Sequence, residues 1–282
     1  MNGTKLTETE GTSCVHEALT RLNLDMMQQS RYLLNGISMS LRLYRNNDSF
    51  VFKIDPSIAN PNTYFISIED ISLFIRHVTP KSSILLDHAR MLAQQTAIYP
   101  IDRSWVKTMH ITKGMQEETF SNVFMGQLPN RMIIGLVKTT DYSGDMRTDP
   151  FTFHHFNLSH ISLNVNGKQV PMRALEPNFN KKEFRRCYYH LLETVLGSCL
   201  EERSIGLSET EYISEGKTLF GFNISPDGAS IHALSPRHNG NINIHLKFRE
   251  SLSENITVIV YSELQNKIEI DAARNVYSDY GF

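Results

Sequence analysis

The chain has few cysteines, almost no net charge and no long apolar run. Its three cysteines, Cys14, Cys187 and Cys199, form neither a disulfide framework nor a Cys-x-x-Cys metal knuckle, so a reducing compartment is expected. A formal net charge of −2 argues against a chain-wide attraction to nucleic acid or anionic membrane. No stretch approaches the roughly 20 apolar residues of a transmembrane helix, and the polar N-terminus lacks a signal-peptide core. We therefore expect no membrane span.

What the sequence does contain is alternation of apolar and polar residues in short runs, which indicates antiparallel β structure. Such runs predict strands at 37–43, 50–54 and 64–78, the last with a bulge at Glu69-Asp70. The same pattern returns near the other end, at 242–248 and from 256 to 270. The composition, 40% hydrophobic and 21% charged in 282 residues, fits one large or two modest β domains.

The two sets of runs follow a similar order. Asn35-Gly36 and Asn239-Gly240 each precede an amphipathic run, a polar turn, an apolar run and a further alternating segment. We interpret this as the closing half of one β unit that occurs twice, although two unrelated hairpins would give a similar pattern.

The middle of the chain predicts one complete β unit. A helix is expected at 83–95, ended by Tyr99-Pro100 because proline disfavours a helical predecessor. The run 131–137 is apolar on both faces, so it should lie centrally in a sheet and be covered. Asn166-Gly167 predicts a tight hairpin. Further strands are predicted at 105–112, 156–165, 168–172 and 218–224.

Two helices interrupt this β pattern. Asn180 and Glu183 resemble a capping box at the start of a helix with an apolar stripe, and Gly197 should end it. A shorter helix is predicted at 208–214. The expected fold is mainly β: an antiparallel jelly-roll β-sandwich with short helices in its loops.

Six blocks of sequence are more specific than periodicity. They resemble, in the same order, the major capsid proteins of Polinton (Maverick) elements and adintoviruses, over about 22–276. The blocks are RYLLNGISMSLRLYRNNDSFVF, HARMLAQQTAIYPIDRSWVKTMHI, FMGQLPNRMIIGLV, DPFTFHHFNLSHISLNVNGKQVP, YISEGKTLFGFNISPD and SELQNKIEIDAARNV.

The resemblance implies a double jelly-roll subunit that forms hexon-like trimers and tiles an icosahedral shell. It divides the chain into a weakly ordered N-terminus (1–21), the last strands of a first jelly roll (22–80), a helical connector (81–100), a complete second jelly roll (101–271) and a tail (272–282). Only about a third of the first jelly roll is represented, and Asn223 stands where the family has an acidic residue. The apolar residues Ile37, Leu41, Phe50 and Leu73 would then lack the sheet that buries them.

The partners implied are other copies of the chain, in trimers and neighbouring capsomers, and a full-length capsid or penton protein. The expected location is the virion, assembled inside the host cell in the cytoplasm or nucleus. No small-molecule substrate or cofactor is implied. We expect inter-subunit contacts in the connections 116–130, 139–150 and 226–239 and in the tail after Asp271, because recognition concentrates in loops.

The residue types of catalysis are present without the spacing that chemistry needs. His154 and His155 would point to opposite faces of a strand, and His160 lies too far along it to share one ion with His154. Cys187 and His190 share a helix, but Cys187 belongs to its apolar stripe, which predicts a buried thiol. Glycine-rich phosphate loops are absent from the sequence. We therefore assign no catalytic, cofactor-binding or metal-binding residue and expect no enzyme.

Three alternatives remain at this point. The basic residues Lys181, Lys182, Arg185 and Arg186 would at most contact packaged DNA weakly, because cations at a helix start oppose its dipole. The chain could instead be a binding module retained by a host and recognising a protein or glycan. A metal-dependent jelly-roll enzyme is the third alternative.

Overall fold

The fold is described from a computed structural model, for residues 15–28, 30–55, 64–197, 205–225 and 238–278. Helices are few and short. They are α1 (Asp48–Val51), α2 (Ser82–Gln94), α3 (Thr139–Ser143), α4 (Arg185–Leu196) and α5 (Glu209–Ser214), with 3₁₀ turns at Asp25–Gln28 and Phe179–Lys181.

Strands make up the body of the protein. They are β1 (Ala97–Ile111), β2 (Glu117–Gln127), β3 (Arg131–Lys138), β4 (Leu158–Val165), β5 (Lys168–Leu175), β6 (Leu219–Asn223), β7 (Asn239–Phe248), β8 (Ile256–Ile270) and β9 (Val276–Ser278).

The strand order identifies the architecture. One sheet has the order β1-β8-β3-β6, with β9 added beside β8, and the other has the order β2-β7-β4-β5. The pairs β1–β8, β2–β7, β3–β6 and β4–β5 are all antiparallel. Wrapping an eight-stranded antiparallel ribbon with this pairing into two facing sheets produces a jelly roll. The predicted fold class is therefore confirmed for residues 97–270.

The core lies between the two sheets and is almost entirely aliphatic and aromatic. Every second residue of β7 from Ile242 to Phe248 is buried, and β8 alternates in the same way from Ile256. The residues between them face outward, as period-2 alternation requires. Fully burying each large side chain contributes roughly 1.5–3 kcal/mol, so this alternation also fixes the register of the strands.

The central position predicted for 131–137 is confirmed. Strand β3 pairs with β8 on one side and β6 on the other. The Phe153 ring covers the outer face of β3 so closely that a Cβ on Gly135 would lie 2.5 Å from it. Helix α4 covers the same sheet at Gly221, where an added Cβ would lie 2.8 Å from the Leu191 Cα atom.

Several local predictions are also confirmed. The helix predicted at 83–95 is α2, the hairpin at Asn166-Gly167 joins β4 to β5, and Gly197, with φ +60°, ends α4. Ser208 begins α5 with a complete capping box that includes Glu211.

The strands predicted at 37–43, 50–54 and 64–78 are wrong. The described residues before Ala97 contain no strand, and Phe50 lies in α1. Asn35-Gly36 therefore leads into no strand, whereas Asn239 and Gly240 lie inside β7, so the two segments are not equivalent in the structure. A strand needs a neighbouring strand to pair with, and in the described part of the chain no strand pairs with these runs.

Four further expectations are corrected. Residues 116–130 are mostly strand β2 rather than a loop. Tyr99-Pro100 lies inside β1, an edge strand, where proline is tolerated. Helix α4 begins at Arg185 without a side-chain cap, because Asn178 caps the preceding 3₁₀ turn and Lys182 adopts the left-handed conformation. The tail contains the short strand β9.

Candidate interaction surface

The residues before α2 are attached to the sandwich along its β1 edge by polar contacts. The Arg31 guanidinium donates to the Ile98 carbonyl oxygen at 2.7 Å, and the Tyr99 hydroxyl donates to the Tyr32 carbonyl oxygen at 3.0 Å. Asp25 accepts from the backbone N–H of Ser104 at 3.3 Å. These contacts place the chain on the sheet without extending the sheet.

A second attachment holds α1 against α3 and the loop that follows it. The Ile54 N–H donates to the Met146 carbonyl oxygen at 2.7 Å, and the Phe50 and Phe151 rings meet edge to face at 5.8 Å. Gly144 has φ +91°, and a Cβ there would lie 3.1 Å from the Phe50 nitrogen, so only glycine fits easily.

Beyond this attachment the chain leaves the sandwich. Before the chain turns away, the Ile66 N–H donates a hydrogen bond to the Asp48 carboxylate at 3.2 Å. Among the described residues, no backbone-to-backbone hydrogen bond involves 67–80. These residues are nearly all exposed, although many of them are large and apolar.

We call residues 64–91 the apolar segment. Its exposed large side chains are Phe65, Ile68, Ile71, Leu73, Phe74, Ile75, Val78, Ile84, Leu85, Leu86 and Met91. Helix α2 supplies the last four and buries only Leu92. A 13-residue helix is marginal in water without a packed face, so burial of this side would stabilise α2.

The apolar segment exposes eleven large apolar side chains. Monomeric soluble proteins rarely expose contiguous apolar patches above a few hundred Å², and larger ones mark interaction sites. Phe74 alone is 83% exposed. Since burying each such side chain contributes roughly 1.5–3 kcal/mol, covering the segment would supply ample free energy for association.

His154 and His155, which the sequence placed close together, occupy structural positions. His155 stacks on Phe179 with ring centroids 4.1 Å apart and accepts the Asn157 N–H at its Nδ1. His154 meets Phe156 edge to face. Burial lowers the pKa of both imidazoles, which therefore stay neutral near pH 7. In the part of the chain that the structure describes, no group of three or more His, Cys, Asp or Glu side chains is arranged to hold a metal ion.

Cys187 lies on the buried face of α4, and burial raises the pKa of its thiol to about 12. A thiol with that pKa is not a nucleophile at neutral pH. His190, three residues on, lies with its Nδ1 atom 3.6 Å from the Glu193 carboxylate rather than with Cys187. The two residues do not form a catalytic pair.

Two of the four basic residues near α4 are engaged in local contacts. The Arg186 guanidinium donates to the carbonyl oxygens of Arg173 and Ala174, and Arg185 pairs with Glu209 at 3.3 Å. The basic cluster is therefore partly used in holding α4 to β5 and to α5.

Two polar networks were not predicted from the sequence. Arg131 pairs with Glu263 across β3 and β8 and donates to the carbonyl oxygens of Thr194 and Val195 at the end of α4. On the other sheet, the His160 and His245 rings lie 4.9 Å apart. The sequence does show that these polar residues occupy the outward positions of their strands. Only the register of the paired strands shows which of them lie next to each other.

The predicted contact loops are placed only in part. Loop 139–150 begins with α3 and lines an open cleft of about 710 Å³ with Lys113 and Glu254. Of the connection 226–239, residues 226–237 lie outside the described residues.

Among the helices described, none combines the length and apolar character needed to cross a bilayer.

Comparison with known proteins gives distant likenesses. No family model matches the chain. An uncharacterized protein of Caenorhabditis elegans is 24% identical over 266 residues, which cover 93% of this chain and 63% of that protein. The chain thus spans 63% of the length of this curated relative.

Two solved structures align with similar coverage. A quasi-atomic model of the PBCV-1 virus capsid has a TM-score of 0.41 and 10% identity over 70% of this chain and 55% of that chain. The mavirus major capsid protein has a TM-score of 0.37 and 12% identity over 66% of this chain and 41% of that chain. At these values the assignment of the fold rests on the strand order itself.

Proposed function

We propose that the chain is a structural, non-catalytic shell protein: a capsid subunit of the double jelly-roll type, of Polinton or adintovirus origin, which forms trimeric capsomers. The observation that carries the proposal is the contrast between a closed jelly-roll core and an uncovered apolar segment beside it. A protein that works by association needs such a surface, and no residue of it needs to perform chemistry.

The order of the six sequence blocks supports the capsid origin, and the jelly-roll strand order of residues 97–270 supports the fold that this origin requires. Within this proposal, 22–80 belong to a first β unit, 81–100 connect it to the second, and 101–271 are the second unit. Residues 1–21 precede these units, and 272–282 follow them as a tail. The runs in 22–80 become strands only where another chain supplies a strand edge.

Negative-stain electron microscopy and light scattering of the purified protein test the proposal. We expect trimers and larger regular assemblies, and a variant Leu86→Asp, which puts a charge on the exposed face of α2, to lose them. Met172→Asp is the matched control, because Met172 is an exposed residue on β5, outside the apolar segment. A wild-type protein that stays monomeric at all concentrations would contradict the proposal.

The second candidate is a host-retained binding module that recognises related shell proteins. The likeness to an animal protein over 93% of the chain favours it. Co-purification with a full-length capsid protein, without assemblies of the chain alone, would favour this function over the first. A transition metal found by elemental analysis of the purified protein would instead support an enzyme.

A further inference from the structure

The part of the apolar segment between Ile66 and Pro80 is arranged about Leu73 so that most residues at equal distance from it match in size or carry opposite charge. Counting outward from Leu73 gives the following pairs: Ser72 with Phe74, Ile71 with Ile75, Asp70 with Arg76, Glu69 with His77, Ile68 with Val78 and Ser67 with Thr79. Acidic residues stand on one side of the centre, and basic or titratable residues stand on the other.

This symmetry fits one arrangement of two chains. When two identical strands pair antiparallel about a two-fold axis, each residue faces the residue equally distant on the other side of the centre. With the axis at Leu73, Asp70 of each copy would face Arg76 of the other. Opposite charges placed directly across a pair stabilise it, whereas like charges destabilise it.

The same register forms a continuous apolar stripe. Ile71, Leu73 and Ile75 lie on one face of such a strand because successive side chains alternate. Their counterparts from the second copy would extend the stripe across the axis. All three are exposed in the single chain, at 62%, 47% and 52%.

The backbone is available for this pairing. Among the described residues, 67–80 make no backbone-to-backbone hydrogen bond, and none of the residues 67–80 has a positive φ. A row of free N–H and C=O groups with alternating apolar side chains is a template for strand addition.

We propose that residues 67–79 form an antiparallel two-fold strand pair with the same residues of a second copy of this chain, centred on Leu73. This contact goes beyond the shell function, because it would hold equally in a binding module. A strand from a first jelly roll or from a different protein is the competing occupant.

Charge exchange between two variants tests the register. Asp70→Arg places arginine against arginine twice in a dimer, and Arg76→Asp places aspartate against aspartate twice. We expect each variant alone to dimerise about 10–100-fold more weakly than wild type. An equimolar mixture should regain wild-type affinity, because both cross-strand pairs then have opposite charges. Sedimentation velocity at low salt measures all three.

Disulfide trapping tests the position of the axis. In a protein with Cys14 and Cys199 changed to serine, Leu73→Cys places two thiols directly opposite, at a Cα separation of about 4.5–5.5 Å that a disulfide can bridge. Mild oxidation should give covalent dimer quickly. Phe65→Cys, exposed but eight residues from the axis, is the control and should not.

Failure of the mixed charge variants to associate would overturn the proposal, as would equal trapping at positions 65 and 73. A monomeric wild-type protein whose residues 67–79 are nevertheless protected from hydrogen exchange would also overturn it and point to a competing strand. Since the readout is dimerisation, it is separate from the formation of trimers and shells.

Discussion

Replacing Gly221 with alanine tests how the helices are held on the sandwich. Gly221 lies in the middle of β6, where it faces α4. A Cβ at this position would lie 2.6 Å from the Thr194 hydroxyl oxygen and 2.8 Å from the Leu191 Cα atom. The first neighbour is a side-chain end that can rotate, but the second is helix backbone, so α4 itself has to move.

We expect Gly221→Ala to lower the free energy of unfolding by about 1–3 kcal/mol, the usual cost of overpacking a well-packed contact. For a domain of this size that corresponds to a fall in Tm of roughly 2–12 °C. Because Gly221 has no positive φ, none of this loss comes from backbone strain.

Urea unfolding followed by tryptophan fluorescence measures the loss. Trp105 is the chain's single tryptophan and lies against Phe124 at the edge of the core, with ring centroids 5.8 Å apart. Adding Thr194→Ala to Gly221→Ala should restore only part of the stability, because the contact with the Leu191 backbone remains. A Gly221→Ala protein as stable as wild type would refute the docking of α4 on β6.

Three further predictions use the same assay. Arg131→Ala should cost about 1–3 kcal/mol, because it removes the cation beside the partly buried Glu263 and leaves the Tyr261 hydroxyl as its side-chain donor, whereas Val106→Ala on an exposed strand position should cost little. Ser208→Ala should cost about 1 kcal/mol through loss of the α5 cap, and an unchanged midpoint would contradict the capping box. Burial lowers the pKa of His155, so the unfolded chain binds more protons below about pH 6.5 and stability should fall as pH falls. A His155→Phe protein with an equally steep pH dependence would contradict that assignment.

The sequence predicts a strand well where apolar and polar residues alternate and a neighbouring strand is present to pair with it. Strand β7 alternates apolar and polar residues from Ile242 to Phe248, and the buried face of β8 carries Ile256, Val258 and Val260, because one face of each strand meets the core. Strand β2 was missed because its register shifts between Phe120 and Phe124, with Asn122 at φ +54°, which interrupts the period of two.

The apolar segment shows the opposite case. Residues 64–78 have the pattern of a strand but no partner among the described residues, and a pattern alone specifies a face rather than a neighbour. The sequence therefore identified the residues that need a partner without identifying the partner. The pairing of Arg131 with Glu263 was equally inaccessible, since it depends on the β3–β8 register.

Hydrogen–deuterium exchange of residues 64–91, measured at low and high protein concentration, tests most directly whether the apolar segment is an assembly surface. If the segment is such a surface, we expect fast exchange in dilute protein and strong protection once copies associate, while the strands β3, β7 and β8 stay protected throughout. Fast exchange across 64–91 at every concentration would contradict it.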